Sequence, residues 1–144
     1  MMQTLKRTFK GVRLGIATFI LMATLLAVAT PAVAHGSGLY NWYGSNFSFD
    51  TTLTGSTRYY DLNNIGCDFR SYTNKNSEIK TFNLTLYRKN TIGSTKLETK
   101  TLQRNGDSSP DWYNTGKGNY YFFFSKAFDG VTVKSDAMGM YSWQ

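Results

Sequence analysis

The 144-residue sequence contains only one cysteine, one histidine and two prolines. With Cys67 alone, an intramolecular disulfide is excluded. We expect this residue to be a buried small side chain, because residues 65–69 are typical of a strand; the alternative is a thiol that joins two chains. With a single histidine, His35, near an expected chain terminus, Ser-His-Asp, Cys-His and zinc sites lack their required partners. The sequence therefore predicts no catalytic residue, no metal site and no cofactor.

Residues 1–34 have the pattern of a cleavable secretory signal peptide. Four Lys or Arg residues and no acidic residue precede an apolar stretch at 14–29, which is followed by Pro31 and a small-x-small cleavage site at 32–34. The alternative is an uncleaved anchor, but the apolar stretch is shorter than the about 20 residues that a membrane span needs. We expect a secreted protein that starts at His35, has no stable membrane span and forms one domain over residues 35–144.

The loss of the signal peptide changes the charge of the protein. Of the 16 Lys and Arg residues, four lie in residues 1–34, whereas all nine acidic residues follow them, so the remaining chain has a net charge of +3 instead of +7. This moderate excess spread over one domain is not the footprint of a nucleic-acid-binding protein. We expect no nucleic-acid partner.

The new terminus would read His35-Gly36, directly after Ala34. This arrangement resembles the start of secreted lytic polysaccharide monooxygenases, copper enzymes built on a β-sandwich, in which the N-terminal histidine offers two nitrogen ligands. In that family a second histidine completes the copper site, and this sequence has none. The resemblance is confined to these residues and implies no monooxygenase activity here.

Alternation of apolar and polar residues dominates after residue 35, which predicts an all-β fold. Turn-forming residues separate about seven or eight short strands, as in an antiparallel β-sandwich of immunoglobulin-like size; a small barrel is the second choice. Residues 47–53 and 79–89 have one apolar face each, and 120–124 is apolar on both faces, as in a central strand. The Lys- and Thr-rich segment 96–102 is typical of an exposed edge.

Two further segments have distinctive turn and loop chemistry. Asp129-Gly130 is the dipeptide favoured by a type I′ hairpin, which would place Phe128 on the same face as Val131, with Lys126 near a rim. Residues 103–111 form the longest polar stretch and are expected to be a mobile loop.

Aromatic residues near turns are the candidate binding residues, because Tyr and Trp supply contact area and a polar tip. They are Trp42, Tyr43, Tyr59, Tyr60, Trp112 and Tyr113. We expect the pair Trp112–Tyr113 to be exposed, although many of these rings could instead fill the core.

These features favour a small secreted, non-enzymatic binding protein that acts outside the cell. Its partner would be an extracellular macromolecule or a cell-envelope polymer. The sequence does not rank an antimicrobial or toxin-like role, an inhibitor role and polysaccharide binding. The oligomeric state is also open. One alternative is a small secreted hydrolase, which would need two convergent carboxylates. The other is a self-assembling structural protein, for which an exposed flat apolar strand would be the mark.

Overall fold

The computed structural model describes residues 40–144, with side chains from Tyr43 onward. The predicted signal peptide, its cleavage site, His35 and the side chain of Trp42 lie outside the described residues. All regular secondary structure within the described part is β-strand. The all-β prediction is therefore confirmed.

The strands form two antiparallel sheets. Sheet A consists of β1 Tyr40–Phe49, β4 Asn64–Thr73, β7 Gly106–Ser108, β8 Asp111–Trp112 and β10 Val133–Trp143. Sheet B consists of β2 Thr52–Thr54, β3 Arg58–Tyr60, β5 Thr81–Lys89, β6 Ser94–Gln103 and β9 Gly118–Ser125.

The strand order is β1-β10-β4-β7 in sheet A and β2-β9-β5-β6 in sheet B. The short strand β8 pairs with β4, and β3 pairs with β9. No strand belongs to both sheets, so the architecture is a sandwich rather than a closed barrel, as the first choice from the sequence predicted. The Lys- and Thr-rich strand β6 lies at the edge of sheet B.

The core lies between the sheets and consists largely of aromatic side chains. The Phe47 ring on β1 lies 5.2 Å from Phe69 on β4 and 4.7 Å from Phe124 on β9, while Phe49 lies 5.7 Å from Phe82 on β5. Cys67 is fully buried beside this cluster, which confirms its expected role as a small core residue. With no disulfide, aromatic packing is the main link between the two sheets.

The segment 47–53 is not one strand, contrary to the sequence prediction. Phe47 and Phe49 are buried on β1 in sheet A, but the chain then crosses to sheet B and pairs as β2 with β9. Asp50 and Thr51 make this crossing, and hydrogen bonds from Thr132 Oγ1 and from the Lys126 backbone N–H hold them in place. Alternation continues across the break, so the pattern alone did not reveal it.

The tight hairpin predicted at Asp129-Gly130 is also wrong. The strands on either side, β9 and β10, belong to different sheets, and residues 126–132 connect them. Gly130 has a φ of 66°, but Asp129 does not have the positive φ that a type I′ turn requires. Phe128 is 78% exposed instead of facing inward with Val131.

A buried polar cluster explains why this connection is ordered. Asp129 accepts hydrogen bonds from the Lys126 ammonium at 2.8 Å, from the Ser77 hydroxyl at 2.6 Å and from the Arg104 guanidinium. The Arg104 and Lys126 side chains are almost completely buried, so the predicted rim position of Lys126 is wrong. The segment 103–111, predicted as one long loop, contains β7 and anchors Arg104 in this cluster.

Candidate functional site

The structure divides the predicted binding residues between core and surface. Trp112 is 1% exposed, so its predicted exposure is wrong: β8 pairs with β4 and turns the indole inward, where Nε1 donates a hydrogen bond to the Glu98 carbonyl at 2.9 Å. Tyr60 is also 1% exposed. Tyr59 and Tyr113 are 52% and 63% exposed and remain available to a ligand.

Tyr43 and Tyr60 link the two sheets. Their rings pack edge to face, with centroids 5.6 Å apart, and the Tyr43 hydroxyl donates a hydrogen bond to the Tyr59 carbonyl at 2.8 Å. The Arg58 guanidinium lies 4.8 Å from the centre of the Tyr43 ring. These contacts fix β3 against β1, and they leave the side chain of Tyr59 on the outer face of sheet B.

Four aromatic side chains lie together on that outer face. Along β9, the buried residues Tyr120, Phe122 and Phe124 alternate with the partly buried Tyr121 and Phe123, which therefore point away from the core. The pairing of β5 with β9 places Tyr87 directly opposite Tyr121 on this face, and the pairing of β3 with β9 places Tyr59 opposite the exposed Asn119. We call this set the aromatic strip: Tyr59, Tyr87, Tyr121 and Phe123.

The rings of the aromatic strip are held in fixed orientations. Tyr87 and Tyr121 stack with an interplanar angle of 5° and a centroid distance of 5.2 Å, and Phe123 packs at 90° to Tyr87. Neither tyrosine hydroxyl of the stacked pair makes a hydrogen bond within residues 40–144. A polar ligand could use both hydroxyls without breaking an existing bond.

Small polar side chains border the aromatic strip. On the β5–β6 side, the hydroxyls of Thr85 and Thr99 are 2.8 Å apart, and the Thr101 hydroxyl donates a hydrogen bond to Asn83 Oδ1 at 3.0 Å. On the other side, Thr54 pairs with Phe123 across β2 and β9. The border is rich in uncharged hydrogen-bonding groups, with Lys96 opposite Tyr87 at the edge.

The outer face of sheet A carries a second aromatic group, with carboxylates beside it. Trp143 lies 5.9 Å from Tyr113 and 5.6 Å from Tyr141, measured between ring centroids. The Tyr141 hydroxyl donates to Asp68 Oδ1 at 3.2 Å, and the Tyr113 hydroxyl lies 3.4 Å from Asp111 Oδ2. We call these five residues the aromatic–carboxylate group.

The pKa values reflect the proximity of these groups. Burial raises the pKa of Asp111 above its ordinary value; the Tyr113 hydrogen bond opposes this shift, and the charge of Asp68 adds to it. The pKa of the Tyr141 hydroxyl is raised by burial and then by the charges of Asp68 and Asp111. Both carboxylates therefore act on the same ring.

A groove of about 610 Å³ adjoins the aromatic–carboxylate group at the edge of the sandwich. It runs between β6 and the segment 107–111, and Asp111, Tyr113, Lys100 and Gln103 are among its lining residues. Ligand-binding clefts commonly have volumes of about 300–1,000 Å³. The groove has the size of a small-ligand site but is open to solvent along its length.

Most residues of these two surfaces were not identified as binding residues from the sequence. The signal for Tyr121 and Phe123 is present in the segment 120–124, because a strand buried on one face must turn alternate rings outward. The single apolar face of residues 79–89, which contains Leu84 and Leu86, implies an outward position for Tyr87 but no binding role. Tyr141 and Trp143 join Tyr113 only through the pairing of β8 and β10 with β4, which no local pattern predicts.

Comparison with family models and with curated proteins finds no match for this chain. Residues 40–144 contain no helix that could cross a membrane. In the same part of the chain, no three His, Cys, Asp or Glu side chains come together as a metal site would need. The two outer faces carry the candidate binding residues.

Proposed function

We propose that this protein is an exported, non-enzymatic β-sandwich that binds an extracellular polysaccharide through the aromatic strip. The observation that carries the proposal is the strip itself, in which aromatic rings occupy four neighbouring positions on a solvent-facing sheet surface. An exposed antiparallel face ordinarily presents polar side chains. Clustered aromatic residues on such a face mark an interaction surface.

The chemistry of the strip fits a sugar chain. A pyranose ring has an apolar C–H face that packs against aromatic rings, while its hydroxyls need hydrogen-bonding partners at the rim. The rings of Tyr87 and Tyr121 supply the first, and the Thr and Asn border supplies the second. Because the stacked pair is already ordered, a ligand loses little affinity to the immobilisation of these side chains.

The test is a depletion assay with insoluble cellulose, chitin and bacterial cell-wall sacculi. We expect the wild-type protein to bind at least one of these polymers, and Tyr121→Thr and Tyr87→Thr each to weaken that binding by about tenfold or more. Threonine preserves strand propensity, so the expected stability cost comes from the lost cross-strand pair, about 0.2–1 kcal/mol, and from the lost apolar area of a partly buried ring, about 1–2 kcal/mol.

The matched control is Tyr72→Thr. Tyr72 is 39% exposed on the outer face of sheet A, away from the strip. Its replacement by threonine should therefore leave polymer binding unchanged. Absence of binding to every polymer, or equal binding by Tyr121→Thr and the wild type, would contradict the proposal. Sedimentation velocity covers the self-assembly alternative: an oligomer that Tyr121→Thr converts to monomer would show that a second copy occupies the strip.

A second candidate function is glycoside hydrolysis by Asp68 and Asp111, which the structure brings to one ring. Glycosidases use such a carboxylate pair, with one pKa raised so that the group can act as an acid. The measurement is release of reducing ends from the bound polymer. Release by the wild type that Asp111→Asn abolishes would favour the enzyme over the binding protein.

A further inference from the structure

We infer that the aromatic–carboxylate group on sheet A is a separate binding site for a protonated amino sugar. The site lies on the sheet opposite the aromatic strip and consists of Tyr113, Tyr141, Trp143, Asp68 and Asp111. The inference does not depend on the proposed function, because it uses different residues and a different ligand chemistry.

A glycine allows the side chains of the site to converge. Gly66 pairs with Asp111 on one side and with Tyr141 on the other. A Cβ atom at Gly66 would lie 2.6 Å from Asp111 Oδ1, 2.7 Å from the Tyr141 ring and 2.9 Å from the Trp143 ring. The absence of a side chain at this position thus lets a carboxylate and two rings meet over one point of the sheet.

The rings are inclined to each other rather than stacked. Trp143 makes an angle of 85° with Tyr113 and 45° with Tyr141. In an edge-to-face pair the edge of one ring covers a face of the other, and Tyr141 is buried, so the exposed Tyr113 ring is the one that offers a negative π-face to an organic cation. Tyr113, 63% exposed, forms the side of the site that is open to solvent.

The charge of the site is opposite to that of the chain. The chain has a net charge of +7, or +3 without residues 1–34, yet two carboxylates lie close to one ring here. Lys100, the cation whose charge acts on Asp111, already pairs with Glu98 at 2.6 Å. A cationic ligand would offset the repulsion between the carboxylates and add contacts to the rings.

The adjoining groove favours an amino sugar over a simple amine. Its volume of about 610 Å³ accommodates more than an ammonium group, and Gln103, Ser108 and Ser109 are polar residues along it. Asp111 and Tyr113 belong to both the groove and the site. An amino sugar would place its ammonium at the carboxylates and its C–H face on the Tyr113 ring.

The experiment compares two soluble tetrasaccharides, β-1,4-linked glucosamine and β-1,4-linked N-acetylglucosamine, by calorimetric titration of the secreted protein in 0.15 M salt. The two ligands differ in the N-acetyl group, which removes the charge that the free amine carries when it is protonated. We expect the glucosamine tetramer to bind about tenfold tighter or better. Equal binding of both tetramers, or no binding of either, would overturn the inference.

The variants assign the binding to this site. Asp111→Asn keeps the shape and removes the charge, and Tyr113→Ala removes the exposed ring; each should weaken binding of the glucosamine tetramer by about tenfold. The matched control is Asp136→Asn, which should not change binding of the glucosamine tetramer. The Asp136 carboxylate lies elsewhere on sheet A and accepts a hydrogen bond from the Tyr72 hydroxyl at 2.6 Å. If neither site variant weakens binding, the inference is wrong.

Two further arms separate the ligand class and the two faces. A tetralysine peptide presents the same ammonium groups without sugar rings; if it binds as tightly as the glucosamine tetramer, the site recognises a basic peptide and the amino-sugar assignment is overturned. Tyr121→Thr should retain full affinity for the glucosamine tetramer. Loss of that affinity would mean that the strip, and not sheet A, carries the binding.

Discussion

Trp112 and Tyr113 are consecutive residues with opposite surroundings, and replacing each by alanine tests the orientation of β8. Trp112 is 1% exposed, packs 5.5 Å from Phe122, and donates its indole N–H to the Glu98 carbonyl. Removing a buried tryptophan ring costs about 3–5 kcal/mol. The lost hydrogen bond adds about 1 kcal/mol.

Trp112→Ala should therefore lose about 4–6 kcal/mol of unfolding free energy. A domain of this size has only about 5–15 kcal/mol in total, so the variant should be close to unfolding at 25 °C. Trp112→Phe keeps most of the buried ring and should lose about 1–3 kcal/mol, which remains measurable. Tyr113→Ala should lose no more than about 1 kcal/mol, since it removes the edge-to-face contact with Trp143 and a long, exposed hydrogen bond to Asp111.

Urea unfolding followed by circular dichroism measures all three variants without depending on tryptophan fluorescence. The expected order of stability is wild type, then Tyr113→Ala, Trp112→Phe and Trp112→Ala. If Trp112→Ala stays within about 1 kcal/mol of the wild type, the indole is not in the core and the observed register of β8 on β4 is refuted.

Three further outcomes are expected. Hydrogen bonds, first from Lys126, lower the pKa of Asp129 in the folded protein. The stabilising effect of Asp129 is therefore present above the ordinary aspartate pKa of about 3.9 and is lost as the pH falls through the lower folded-state pKa. Asp129→Asn should flatten the acid-induced fall in melting temperature, and an unchanged fall would exclude this role. Gly130→Val forces a β-branched residue to a φ of 66° and should cost about 1–3 kcal/mol in urea unfolding, whereas a neutral effect would show that the connection relaxes freely. Burial raises the pKa of the Cys67 thiol, so a thiol reagent should label it only after unfolding. Because this cysteine is not in a disulfide, a reductant should leave the melting temperature unchanged. Rapid labelling of the native protein would contradict the burial.

The sequence predicted the features that depend on short-range alternation. Phe82, Leu84 and Leu86 face the core as expected, and so do Phe122 and Phe124. Each of these positions lies in a strand long enough for the period of two to be unambiguous. The class of fold follows from the same signal, whereas the central position of β9 follows from a run that is apolar on both faces and the edge position of β6 from its Lys and Thr content.

Features that depend on remote pairing could not be predicted in this way. Trp112 lies in a two-residue strand, too short for any period, and its direction is set by pairing with Ile65. The Asp129-Gly130 dipeptide has turn chemistry, but the sheet that receives the next strand is set by contacts of β10 with β1 and β4. The candidate sites could not be predicted from the sequence for the same reason, since Tyr87 contacts Tyr121 only through the pairing of β5 with β9.

The place of β10 in sheet A has a consequence for the order of folding. This strand follows every other strand in the sequence, yet it lies inside the sheet, between β1 and β4. Until it arrives, β1 has no partner in sheet A, and β4 lacks one of its two neighbours. Pairings between such distant segments are slow to form because a long loop must close first. A chain that emerges from its N-terminal end would therefore complete sheet A only after residue 143 is free, whereas all strands of sheet B are available earlier.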